Sequence, residues 1–340
     1  MNIVIDGINL SLELLESQRY KNMKVIPVRM NDVGNSEYLT LKRGINAGFV
    51  EVTECEVSTV GTVLARNNAN VPLVLIDGDE IVGAKQNRIM NRSLIVPPKT
   101  TLPISVSCTE QGRWHYGRDD VGGGFEYEFN DSRDSIEHFA CSDIAADFST
   151  RRYKSQDLFE SGECQSTVWN SINDLERKTS FRSRTSALHD NFVNHRPMLD
   201  EYLKNFRLEY GQLGAIFIIN GQIKGMELFA NPSIYQDYHE KIFRSYIMEA
   251  ITNHQFGSAF VEKDVREFLR EISRSEFKRS EEKGIGRHLQ FANCYGYGAA
   301  LLNGHDLVHI NYFHNGKSHS GIRRGKGRRY SSFRDFADDF

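Results

Sequence analysis

Cysteine is scarce in this chain: five in 340 residues (Cys55, Cys108, Cys141, Cys164, Cys294), odd in number and with no C-x-x-C pair. That opposes a disulfide framework and a structural zinc site, and it predicts a reduced, cytoplasmic protein. Long apolar runs are also missing. The best of them, 71–76, 213–219 and 299–302, fall far short of the ~20 residues that cross a bilayer, so neither a transmembrane helix nor a membrane partner is expected. The first residues, Met1-Asn2-Ile3-Val4-Ile5-Asp6-Gly7, carry no basic region, which argues against a secretory signal. Neither sign of charge dominates. Lys and Arg number 42 against 45 Asp and Glu, a formal net charge of -3, which excludes wholesale binding to nucleic acid or anionic membrane and leaves only a local role of that kind.

What is present fits an ordinary globular α+β protein, with 39% hydrophobic and 26% charged residues. Residues 1–130 read as short strands with turn chemistry between them, an antiparallel sandwich or barrel. The run 71–76 suits a strand buried on both faces. Asp77-Gly78 after it suits a two-residue hairpin turn. Residues 92–96 and 102–106, either side of a Pro97-Pro98 loop, are expected to pair antiparallel, which would bring 107–113 beside 85–91. From 117 to 185 the pattern is weak. Residues 131–320 then read as hairpin, two helices, hairpin, packed against the first half closely enough to look like one domain. Asn220-Gly221 and Asn303-Gly304 mark the hairpins. Asn231-Pro232 starts a helix to about Asn253, with Tyr235, Tyr238, Ile242, Phe243, Tyr246, Ile247 and Ala250 as its apolar stripe. Residues 321–340 form a glycine-interleaved basic tail.

Two polar clusters can carry chemistry. The first spans 77–91, the second 107–115. Lys85, Arg88 and Arg113 can grip phosphate, and Gln86, Asn87, Asn91 and Gln111 can read a base or ribose edge. Trp114 can stack on a ring. Glu80 or Glu110 suits an acid/base role. Cys108 can be a nucleophile with His115 or Glu110 as base, or simply a small core residue. The whole first cluster can equally be a polar hairpin end that only caps turns. His305, His309, His314 and His319 do not have the spacing of a metal site, and His309 reads as a hydrogen-bonded structural histidine. No cofactor or metal is assigned.

The stretch Leu75-Ile76-Asp77-Gly78-Asp79-Glu80-Ile81-Val82-Gly83-Ala84-Lys85-Gln86-Asn87-Arg88 is followed at fixed distance by Ile104-Ser105-Val106-Ser107-Cys108-Thr109-Glu110-Gln111-Gly112-Arg113-Trp114. Together they resemble the signature of the ARG and Rhodanese-Phosphatase-superfamily-associated protein domain family, where ARG stands for ADP-ribosylglycohydrolase. The resemblance continues through Val168-Trp169, Thr185-Ser186-Ala187-Leu188 and Leu307-Val308-His309, over about residues 35–315. It implies a setting in NAD-derived and ADP-ribose metabolism more firmly than a reaction. The sequence departs from the usual pattern at Thr109, where an apolar residue is common, and at Met226-Glu227, where the acidic residue is expected one position earlier. The leading expectation is a nucleotide-directed enzyme or binding protein for NAD-derived or ADP-ribose-type molecules. The alternatives are an RNA-binding accessory factor using Arg323, Arg324, Lys326, Arg328 and Arg329, whose binding would weaken with salt, and a non-catalytic scaffold.

Overall fold

A computed structural model describes residues 1–31, 34, 36–113, 138–253, 262–280 and 284–315. The larger sheet has ten strands, all pairings antiparallel. Its order is β1 (Asn2–Ile5), β2 (Ile8–Leu14), β4 (Met23–Met30), β14 (Gly214–Ile219), β15 (Gln222–Phe229), β19 (Asp306–His314), β18 (Gly296–Asn303), β17 (Arg287–Asn293) and β16 (Glu276–Ser280), with β3 (Gln18–Tyr20) on β4. The first thirty residues thus complete a sheet built mainly by residues 214–314. A second sheet runs β13 (Phe139–Ala145), β9 (Asp79–Gly83), β10 (Arg88–Met90), β12 (Thr100–Cys108), β7 (Thr62–Asn67), β6 (Val50–Thr59). A small third sheet joins β11 (Leu94–Val96), β8 (Leu73–Leu75) and β5 (Leu39–Thr40). The described helices are α1 (Leu41–Asn46), α2 (Phe148–Glu160), α3 (Gln165–Thr179), α4 (Leu188–Asn194), α5 (Arg196–Leu203), α6 (Pro232–Thr252) and α7 (Glu262–Ile272). The protein is mixed α+β, with two curled antiparallel sheets.

Alternation explains the layers. β14 is buried at every position because both faces are covered: Ala215, Phe217 and Ile219 meet the helices, while Ile216 and Ile218 point into the curl of the larger sheet. Val265, Phe268, Leu269 and Ile272 of α7 fill that curl. The helix side is aromatic, with Phe217 stacked on Tyr246 at 3.8 Å between centroids. The expected stripe of α6 is wholly buried. Asn231 caps α6 through its Oδ1, which accepts from Ser233 N at 2.9 Å and Ile234 N at 3.2 Å. Asn231→Ala is expected to lower stability by about 1 kcal/mol, read as a urea midpoint shift at constant slope.

Three readings of the chain need correction. β8 does not form a hairpin with β9, because β8 pairs with β11 and β5 whereas β9 pairs with β10 and β13. The Asp77-Gly78 turn therefore carries the chain from one sheet to another. Residues 94–96 likewise do not pair with 102–106. β11 returns to β8, and β12 pairs with β10 (Arg88 opposite Cys108, Ile89 opposite Ser107) and with β7. The second half also holds more than hairpin, two helices, hairpin: after α7 come four strands, β16 to β19, in an antiparallel meander. Among the described residues no helix is long and apolar enough to cross a membrane.

Candidate functional site

The two signature segments meet, through the β10–β12 pairing and the loop that follows β12. Their side chains are spent largely on one another. Arg113, 7% exposed, donates from Nε and Nη2 to Glu110 Oε2 at 2.9 and 2.7 Å, from Nη1 to Ala84 O at 2.7 Å and from Nη2 to Asn87 Oδ1 at 3.2 Å. Glu110 Oε1 accepts from Thr185 Oγ1 at 3.0 Å, and Gln86 Nε2 donates to Glu110 O at 2.8 Å. Arg88, fully buried, donates from Nη2 to Glu54 Oε1 and from Nη1 to Gln86 Oε1, at 3.3 and 3.1 Å, and its Nη1 also contacts Cys108 Sγ. Glu80 is fully buried against His189 Nδ1 at 2.7 Å. Lys85 is half-buried and Gln111 exposed. Burial pushes the Cys108 thiol up to about 11, more than Arg88 beside it lowers it. The thiolate, the reactive form, is disfavoured in that setting. Trp114, His115 and the basic run Arg323 to Arg329 lie outside the described residues.

A second polar cluster sits where the two curled sheets and α2 come together. Asp147 opens α2, its carboxylate accepting from Thr150 N at 3.2 Å and from Thr150 Oγ1 at 2.6 Å. One turn along, Arg151 has no exposed side-chain surface. Its Nη1 lies 2.6 Å from Glu227 Oε1, its Nη2 donates to Asp77 Oδ2 at 3.1 Å, and its guanidinium carbon sits 5.0 Å from the centre of the Phe313 ring. Burial opposes that charge, but Glu227 and Asp77 outweigh it and raise the guanidinium's pKa. Asp77 is likewise pushed up by burial and pulled down further by Arg151 and His309, ending below the usual carboxylate range. His309 bridges to Glu227 Oε2 through Nε2 at 2.9 Å and to Ser93 Oγ through Nδ1 at 3.1 Å. Ser93 Oγ donates to Asp77 Oδ1 at 3.1 Å, and Asn311 Nδ2 to the same oxygen at 2.7 Å. Gly78 makes the close approach possible. With φ +77, a Cβ there would lie 2.7 Å from Arg151 Nε.

Asp77, Arg151 and Asn311 of this cluster line a small cleft together with Asn91, Arg92, Lys154 and His288, among others. Lys154 is 6% exposed. Its Nζ donates to Ser107 Oγ at 2.8 Å and contacts Asn91 Oδ1, both neutral oxygens. Among the described residues no carboxylate lies within ion-pair distance of it. Burial depresses its pKa to about 8, with Glu163 and Asp77 acting from further away in the other direction. Arg92, by contrast, has Glu163 Oε1 3.5 Å from its Nε. Such a wall of cations and amides can hold an anion and the hydroxyls beside it.

Of the residues singled out in the sequence, only Asn91 joins Asp77 in lining this cleft. Arg151, Lys154 and Glu227 carry no sequence expectation of a site. The departure at Met226-Glu227 marked Glu227 as an odd residue and assigned it nothing. A second buried pair was also missed: Lys241 Nζ donates to Asp79 Oδ1 at 2.5 Å, and Tyr238 Oη to Asp79 Oδ2 at 2.8 Å.

Two curled antiparallel sheets joined at a charged seam, with a small cleft opening on it, define an α+β protein. The chain belongs to the ARG and Rhodanese-Phosphatase-superfamily-associated Protein domain family, whose model matches residues 11–313. That description associates the family with ADP-ribosylglycohydrolase-type proteins. Comparison with curated proteins and with solved structures gives no match.

Proposed function

We propose that this protein binds an ADP-ribose-type nucleotide by its ribose-phosphate end, in the cleft at the seam. The observation that carries the reading is Lys154, a buried lysine on the cleft wall with no carboxylate within ion-pair distance among the described residues. An uncompensated buried ammonium is costly, and an anion in the cleft would supply the missing charge. Phosphate oxygens would take Lys154 and Arg92, and Asn91, Asn311 and Asp77 would meet ribose hydroxyls. The family's association with ADP-ribosylglycohydrolase-type proteins supports the ligand class.

In this reading Lys85, Gln86, Asn87, Arg88, Gln111 and Arg113, with Glu80 and Glu110, shape the sheet that presents the cleft and do not touch the ligand. The test is thermal denaturation with ADP-ribose, NAD and ADP. A ligand at a hundredfold its dissociation constant is expected to stabilise the fold by about 2.7 kcal/mol, and Lys154→Met is expected to remove the shift. No shift with any of the three would overturn the reading and favour a non-catalytic scaffold.

A further inference from the structure

A lysine in the cleft wall with only neutral acceptors is poised for more than charge pairing. Its Nζ is held by Ser107 Oγ at 2.8 Å and by Asn91 Oδ1, so the nitrogen is positioned, and among the described residues no carboxylate lies within ion-pair distance of it. Arg151 and Arg92 line the same cleft, each already facing carboxylates of its own. The ribose-phosphate end of an ADP-ribose-type ligand carries a free anomeric carbon, in equilibrium with an open-chain aldehyde. We infer that Lys154 captures that aldehyde as an imine, an inference that rests on the cleft being the ligand site proposed above.

The step balances without an oxidant or reductant. The free amine's lone pair attacks the aldehyde carbon as the C–O π pair moves to oxygen, and proton transfer from nitrogen to that oxygen gives a carbinolamine. The nitrogen lone pair then forms C=N as the hydroxyl leaves with a proton, and one water is released per imine formed. The cation wall holds the phosphate while this happens, which turns a slow encounter into a positioned one. The depression of the amine to about 8 gives it roughly a hundredfold more free base near neutral pH than an exposed lysine of pKa ~10.4.

The experiment incubates the full chain with ADP-ribose and cyanoborohydride, then maps reduced adducts by peptide mass spectrometry. The expected result is an adduct at Lys154 that forms at least about tenfold faster than at Lys21, whose side chain is 50% exposed. Its rate should rise with pH and level off above about 8, where the amine is already free, while labelling of Lys21 continues to climb. NAD, whose anomeric carbon is blocked, should slow labelling by competition and give no adduct. Lys154→Arg should lose the adduct while labelling of Lys21 stays as in the parent chain. A thermal shift with no preference for Lys154 overturns the imine and leaves the binding site standing. No shift together with indiscriminate labelling overturns both.

Discussion

Replacing Arg151 with alanine is expected to cost about 3–5 kcal/mol of stability. The reason is what stays behind. Glu227 has no exposed side-chain surface and among the described residues would keep His309 alone as a side-chain partner, while Asp77 would lose one of its hydrogen bonds. A buried carboxylate without its cation is far costlier than the intact pair is favourable, since the pair's own desolvation roughly cancels its attraction. The corollary is a cycle. Arg151→Met combined with Glu227→Gln should be markedly more stable than Arg151→Met alone, because the second change removes the orphaned charge. Urea denaturation of the four proteins measures it. A loss below about 1 kcal/mol for Arg151→Ala, or additive single effects, would mean that water or rearrangement neutralises Glu227 and that the seam is softer than its geometry. Lys154→Met, one turn away on the same helix, is the contrast: it removes an ammonium with no ion-pair partner among the described residues and should leave stability unchanged or raised.

Arg113→Ala is expected to destabilise by about 3 kcal/mol or more and to leave ADP-ribose binding intact in whatever fraction remains folded. Arg113 neutralises Glu110, whose side chain is 6% exposed, and it also closes the loop at 83–87 by donating to Ala84 O and Asn87 Oδ1. Removing it leaves Glu110 with Thr185 Oγ1 and the Asn87 backbone N–H as its acceptor-side partners, and with no charge. The check is paired: an equilibrium denaturation midpoint, and the nucleotide-induced shift measured at low temperature. Near-native stability with the shift abolished would return the signature to a ligand-contacting role and empty the seam cleft of its function.

The side chains of the signature are hydrogen-bonded largely to one another. Lys, Gln, Asn, Arg and Glu packed within a few residues can face a ligand or one another, and composition does not distinguish the two. The choice is made when β10 pairs with β12 and sets Arg88 opposite Cys108, with Arg113 swinging back over Gly83 and Ala84. The positive φ at Gly83 (118) and Ala84 (41) turns the backbone so that both carbonyls face the guanidinium.

By itself the sequence determined the features that depend on local chemistry or on period. Apolar runs gave β14, β15, β18 and β19 of the larger sheet, Asn220-Gly221 closed the β14–β15 hairpin, and Asn231-Pro232 with its aromatic stripe defined α6, because capping and amphipathicity are carried by neighbouring residues. Its long signature also carried the family. Helix α2 was invisible for a physical reason: its buried face holds Phe148, Thr150, Arg151 and Lys154, so no apolar period records it. Strand partners were likewise beyond reach, since β8 and β9 are adjacent in sequence yet belong to different sheets, a choice fixed by packing against β11 and β13. The seam exists only after folding. Asp77, Arg151, Glu227 and His309 come from four separate parts of the chain, and it is their mutual desolvation and pairing in the tertiary structure that makes a site of them.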